Sequence, residues 1–229
     1  MRETSRGPRE RPTPRPRVRR ALGFLLFVLI PLLGVGDIAK DVYERQAFPW
    51  EAPFMVALRG GAPPLLTKVA YGVSVVGAWS ATLPVVLLLA AWIWTRARAS
   101  AVFVVAGVCG AALLNFLLKL FFHRERPMDV TRLWHADDAS FPSGHAMTAA
   151  ALAATLVALT WRTRFRGLTV VLGALYALVM GYTRVYLGAH YPTDVLAGWG
   201  LGVAWVASLA LLMWPTLHRA QREADAKLD

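Results

Sequence analysis

The chain has 229 residues, 56% of them apolar and only 17% charged, with a mean hydropathy of +0.45. That composition is too apolar for an ordinary soluble domain and leaves room for one polytopic membrane domain. The net charge of +11 is uneven, with eight arginines among the first twenty residues. Beside a membrane segment, such a run reads as a cytoplasmic flank facing anionic lipid rather than as a nucleic-acid surface. The single cysteine, Cys109, excludes an internal disulfide and reads as a small packing residue in an apolar run.

Residues 1–20, rich in Arg and Pro, have no apolar face to bury and are predicted to be a disordered tail. Ala21 to Gly36 is the first apolar run. Its sixteen residues span about 24 Å, short of a hydrocarbon core of about 30 Å, so the helix is predicted to continue past Asp37. No small-x-small site follows that would mark a cleaved signal peptide. Lys40 to Lys68 reads as a loop with an amphipathic piece, F-M-V-A-L-R, suited to a membrane surface. Val69 to Thr95 is the second run, with a kink predicted at Pro84 and with Trp92 and Trp94 as interfacial anchors. Ala99–Leu118, Ala146–Trp161, Gly167–Thr183 and Val195–Trp214 complete six runs, the last stopped by Pro215. The predicted fold is therefore all-α: a six-transmembrane-helix bundle over residues 21–215, with a polar C-terminal tail over 216–229.

Six spans put both termini on one side. The connections on that side carry 16 of the 25 Lys and Arg, which orients both termini toward the cytoplasm.

Three stretches bearing chemistry then fall on the opposite, extracytoplasmic face. K-L-F-F-H-R-E-R-P follows the third run. Lys119 and Arg126, seven apart, are predicted to share a helix face two turns apart, with Pro127 ending the helix. Two cations on one face can grip one anion; the plainer reading is a pair of flanking charges. His123 shares that face and is read as interfacial. F-P-S-G-H opens the fourth run. The N–H groups of Ser143, Gly144 and His145 at a helix N-terminus make an anion site, and Gly144 admits the anion close to the backbone. The plainer reading is a Ser N-cap beside an interfacial His. T-R-V-Y-L-G-A-H-Y-P-T-D lies between the last two runs. It sets Arg184, His190 and Asp194 at fixed offsets: a candidate nucleophile with an anion clamp and an orienting carboxylate. Asn115 reads as an interhelical hydrogen-bonder, Trp134 and Trp161 as membrane anchors, and Asp137 and Asp138 as solvated loop charges. These three stretches sum to a phosphate-handling inventory without a metal site.

Lysine, six residues, Arg-Pro; then Pro-Ser-Gly-His; then Arg, five residues, His, three residues, Asp: this combination resembles the type 2 phosphatidate phosphatase superfamily. The motifs cover Lys119 to Asp194, and the six-span layout extends the likeness. One departure is Thr183, where the family usually has Ser. The resemblance implies a membrane lipid phosphatase that needs no cofactor and works through a phosphohistidine. Carried onto this chain, Lys119, Arg126, Arg184 and the amides at Ser143 and Gly144 hold the phosphate oxygens. His190 attacks phosphorus, Asp194 holds its other ring nitrogen, and His145 protonates the leaving oxygen and then activates water. The implied substrates are undecaprenyl diphosphate, phosphatidate or phosphatidylglycerophosphate, met in the bilayer. Two other readings remain: phosphotransfer to a lipid or sugar hydroxyl, and a non-enzymatic anion-binding membrane protein. The scarcity of charge within the runs speaks against a transport pathway.

Overall fold

A computed structural model describes residues 16–127 and 139–225; Trp134, Asp137 and Asp138 lie outside the described residues. Nine α-helices and no strand occur among those residues. The first, α1 (Pro16–Phe24), begins inside the stretch predicted to be disordered, with Pro16 at its first position, where the missing N–H costs nothing. It continues through one π-helical turn, Leu25–Leu29, into α2 (Ile30–Tyr43). The widened turn has a local cause. Pro31 has no N–H and its ring crowds the carbonyl four residues back, at Phe27, within that turn. The resulting span, Arg20–Tyr43, extends past Asp37 as its apolar length requires.

The predicted loop from Lys40 to Lys68 contains a short helix, α3 (Glu51–Arg59). Trp50, Phe54 and Val56 face outward while Glu51 and Met55, one turn apart, are buried. The second run divides into α4 (Pro64–Val76) and α5 (Trp79–Trp94), bent by 48°. The break falls at Gly77–Ala78 and not at the predicted Pro84. Gly77 caps α4, and the end of the Met180 side chain of the neighbouring helix packs into the space a Cβ there would take, 2.0 Å from Met180 Cε. Pro84 sits in the second turn of α5, where it removes a single ladder bond without ending the helix.

The remaining helices are α6 (Arg98–Phe122), α7 (Gly144–Thr160), α8 (Arg166–Tyr186) and α9 (Pro192–Asp225). The predicted stop at Pro215 does not occur. Leu217, two residues beyond, is buried in a cluster with Phe103, Met147 and Val206, and this anchorage carries the helix through the proline. Trp92 and Trp94 close the α5–α6 corner beneath the guanidinium groups of Arg96 and Arg98. Cys109 is a partly buried packing residue beside Val104 and Val108.

Helix α7 is the hub. Its packing against α8 and α9 is the most extensive in the molecule. Alanines cover much of its buried surface, and Gly198 and Gly202 of α9, one turn apart, press directly on its backbone. Close approach through small residues is how apolar helices gain contact where no hydrophobic effect separates helix from lipid. The outer surface is a belt of exposed Leu, Val and Phe, as a lipid solvent requires. Among the described residues, four helices are long and apolar enough to cross a membrane, or five if bent α4–α5 counts as one. The apolar 17-residue α7 is shorter, about 26 Å long.

Candidate active site

The site forms where one end of α6, α7, α8 and α9 meets α3 and α4. Helix α8 ends at Tyr186, and Gly188, at φ 67°, turns the chain back. The amides of Ala189 and His190 both donate to the Arg184 carbonyl, which fixes the turn. Pro192 then starts α9, and Asp194 lies in its first turn, where the helix dipole favours a carboxylate. Asp194 Oδ2 reaches back to the Tyr191 N–H at 2.9 Å, one half of a capping box.

His190 is 2% exposed. Its Nδ1 lies 2.8 Å from the Ser140 carbonyl oxygen, an acceptor that assigns the ring proton to Nδ1 and the lone pair to Nε2. Asp194 Oδ2 stands behind at 3.6 Å, beyond hydrogen-bond reach. This differs from the expectation that Asp194 itself holds the ring. The carboxylate instead accepts from the Ser140 hydroxyl, from Tyr191 N–H and, at 2.6 Å, from Arg124 Nη1. Ser140 thus joins imidazole and carboxylate, its carbonyl on one and its hydroxyl on the other.

On the Nε2 side, Arg126 Nη1 lies 3.4 Å away and also donates to the Ala189 carbonyl at 2.5 Å. Arg126 arrives by a different route from the one predicted. Helix α6 ends at Phe122 because His123 takes a left-handed conformation (φ 43°), and Arg126 comes in on the following irregular segment. It therefore shares no helix face with Lys119, whose Nζ donates to the Ala139 carbonyl at 2.7 Å. His123 is exposed and stays outside the site.

Arg184 is 1% exposed on the last turn of α8. It has partners, yet its Nε and Nη1 are buried donors that make no hydrogen bond to a described residue. His145, on the first turn of α7, has Nε2 3.2 Å from the Ser74 carbonyl of α4. Ser74 Oγ in turn donates to Thr183 Oγ1, which donates to the Met180 carbonyl. The hydroxyl of Thr183 thus ties α4 to α8.

Ser143 caps α7, its Oγ accepting from Ala146 N–H at 3.5 Å. Its own N–H donates to the Asp194 carbonyl at 3.0 Å, so this amide, one of the three expected to form an anion site at this turn, is engaged within the protein. A Cβ on Gly144 would lie 2.9 Å from Asn115 Oδ1, so glycine is required there by the protein's own packing. Asn115 donates to the Pro142 carbonyl at 3.1 Å, holding the F-P-S-G-H turn to α6, and its interhelical contact is to Met147 Sδ of α7 at 3.8 Å.

Burial is the largest influence on His190 and pushes its pKa down; Asp194 opposes it, and the Arg126 and Arg184 guanidinium charges add to it, leaving it at about 4. The imidazole is therefore neutral at pH 7, with a basic Nε2 beside guanidinium donors: an arrangement able to attack an electrophile held by those donors.

Sequence reasoning missed Glu51, Arg124 and Ser140. Arg124 bridges Asp194 to Glu51, with Nη2 2.8 Å from Glu51 Oε2. The spacing of R-E-R-P offered two arginines, and only the second matched the motif.

The profile of the PAP2 superfamily matches residues 100–218, a range that holds all eight candidate site residues. The chain belongs to the PAP2 superfamily. It is 35% identical over 146 residues to phosphatidylglycerophosphatase B of Bacillus subtilis, covering 61% of this chain and 71% of that one. It is 34% identical over 116 residues to the undecaprenyl-diphosphatase BcrC of the same organism, covering 48% and 57%. Among solved structures, a transmembrane PAP2-type phosphatidylglycerolphosphate phosphatase from Bacillus subtilis superposes with a TM-score of 0.67. Its identity is 27%, with 86% of this chain and 95% of that chain covered. Aquifex aeolicus LpxE shares the fold, with a TM-score of 0.58 at 23% identity. This PAP2 chain is an integral membrane protein with phosphatase activity.

Proposed function

We propose that the protein hydrolyses a phosphate or diphosphate ester of a membrane lipid through a phosphohistidine on His190. The observation that carries this reading is the two-sided environment of the imidazole: Nδ1 is held at 2.8 Å by the Ser140 carbonyl while Nε2 faces Arg126 at 3.4 Å. A neutral, oriented imidazole beside cations suits attack on a phosphorus whose oxygens those cations hold.

In this mechanism Arg126, Arg184 and Lys119, with the first amides of α7, bind the non-bridging oxygens. His190 Nε2 attacks phosphorus as the P–O bond to the lipid alcohol or phosphate breaks. His145 gives its proton to that leaving oxygen, then accepts one from the water that cleaves the P–N bond. Asp194, through its charge and through Ser140, stabilises the imidazolium that forms. The names of the relatives point to phosphatidylglycerophosphate or undecaprenyl diphosphate as substrate, and the compact bundle fits either. α7 and bent α4–α5 serve as spans in this reading, which gives six. Both termini then face the cytoplasm and the site faces the other side, in keeping with the charge asymmetry of the connections. Residues 21–215 form the catalytic unit.

The test is phosphate release by detergent-purified protein from undecaprenyl diphosphate, phosphatidate and phosphatidylglycerophosphate, in EDTA, with His190→Ala as control. Expected is release that survives EDTA and falls at least about a thousandfold in the variant. EDTA-sensitive release, or a His190→Ala protein that keeps its turnover, refutes the mechanism.

A further inference from the structure

Behind the His190–Asp194 turn lies a buried ion pair that joins it to the short helix α3. Glu51, the first residue of α3, is 2% exposed and separated from Thr193 by 142 positions. Its carboxylate reaches across to the far side of the site. Oε1 accepts from Thr193 N–H at 3.0 Å and from Thr193 Oγ1 at 2.6 Å, and Oε2 accepts from Arg124 Nη2 at 2.8 Å. Arg124 uses its other nitrogen, Nη1, on Asp194 Oδ1 at 2.6 Å and Thr193 Oγ1 at 2.8 Å. Its guanidinium lies over the Tyr191 ring at 4.2 Å, with the Phe48 ring at 5.4 Å. A single planar fork thus connects two buried carboxylates, one on α3 and one at the start of α9.

A buried carboxylate is retained at large desolvation cost unless its charge is matched. Here one guanidinium, away from Nε2, faces both carboxylates, and hydrogen bonds supply the rest: Thr193 N–H and Oγ1 donate to Glu51, and the Ser140 hydroxyl and Tyr191 N–H donate to Asp194. None of these groups faces the atom that would react. They fix the rotamer of Asp194 and the first turn of α9, and Asp194 in turn holds Ser140, whose carbonyl orients His190. Helix α3 is otherwise held by apolar contacts: Met55 packs with Val185 and Val195, and Leu58 against Tyr186 and Leu187, while Trp50, Phe54 and Val56 face outward.

We propose that Glu51 and Arg124 are positioning residues for phosphoryl transfer, a clamp by which the surface helix α3 sets the geometry of the Asp194–Ser140–His190 relay. The proposal rests on the reading of His190 given above. It assigns a chemical task to a segment whose sequence reads as a connecting loop. The fork is essential to it: a lysine at position 124 keeps the charge yet cannot reach both carboxylates in one plane.

The experiment uses the full chain in detergent, with Glu51→Gln, Arg124→Lys, the double variant and the His190→Ala control. Glu51→Gln keeps one acceptor for Thr193 and loses the charge facing Arg124. Steady-state kcat and KM are measured on phosphatidylglycerophosphate. Each kcat is normalised to the amplitude of the phosphoenzyme burst, so that misfolded protein is not counted. Displacing a reacting group by a fraction of an ångström costs about 10–100-fold in rate. The expected result is a normalised kcat lower by about that factor in each single variant, with KM within about twofold, and a double variant no worse than the poorer single. Glu51→Asp, which keeps the charge on a shorter arm, is expected to recover part of the loss. A normalised kcat equal to wild type, with the total falling only as the folded fraction falls, would overturn the proposal and leave the pair a purely structural tie. Loss in Glu51→Gln together with an active His190→Ala protein would refute the His190 reading itself; a normal Glu51→Gln beside an inert His190→Ala refutes only the clamp.

Discussion

One methyl group added at Gly198 tests whether the packing of α9 on α7 sets the site. A Cβ there would stand 2.7 Å from the Ser143 carbonyl oxygen, 3.1 Å from Met147 N and 3.2 Å from Ala146 Cβ. The shortest of these is about 0.7 Å inside the 3.4 Å at which ordinary contact begins. Two of the three atoms are backbone, and the Ser143 carbonyl already accepts from Met147 N–H, so neither can swing aside. The strain must be relieved by parting the two helices. Overpacking of this kind costs about 1–3 kcal/mol. It also carries Ser143, Gly144 and His145 away from His190, and a shift approaching an ångström costs up to about a hundredfold in rate. Gly198→Ala is therefore expected to lower the melting temperature in detergent and to lower kcat on the order of tenfold. Gly34→Ala, on an exposed face with nothing within 4 Å of the new atom, is the control and is expected to keep both. Thermal unfolding and phosphate release on the two purified variants decide the matter. A Gly198→Ala protein with wild-type stability and turnover would show that the α7–α9 contact does not tune the site.

Two further predictions follow from the same geometry. The neutral imidazole is the attacking form, and its pKa is held at about 4, so the acid limb of kcat/KM assigned to His190 lies near pH 4 and the protonated, inactive form grows below it. Asp194 raises that pKa, so Asp194→Asn is expected to move the limb to lower pH while reducing kcat; a limb that moves upward contradicts the assignment. Asn115→Ala removes the hydrogen bond to the Pro142 carbonyl and leaves a buried acceptor unmatched, with an expected loss of about 1–3 kcal/mol in stability, read by denaturation in mixed micelles.

The sequence alone determined the class of the molecule and named most of the residues that meet at the candidate site. Apolar runs report burial in lipid locally, residue by residue, so the helices and the membrane assignment are legible without a fold. The spacing from Lys119 to Asp194 is likewise linear information. It brought Arg126, His145, Arg184, His190 and Asp194 to one site, where the structure also gathers them. Local rules were less reliable at the prolines. Pro84 and Pro215 look like breaks, yet neither interrupts its helix, whereas the break between α4 and α5 falls at Gly77, unremarked in the sequence, where the Met180 side chain packs against the glycine.

What only the tertiary structure decided is who holds whom. Glu51 carries no mark of a role in the sequence until α3 docks and places it against Thr193, 142 residues away. Arg124 is indistinguishable from Arg126 by residue type, and the left-handed His123 sends one guanidinium to Asp194 and the other to His190. The Ser140 carbonyl, a backbone atom carried by every residue type, leaves no mark in the sequence at all. Buried charges and backbone acceptors acquire their roles from long-range contacts, and neither hydropathy nor motif spacing carries that information.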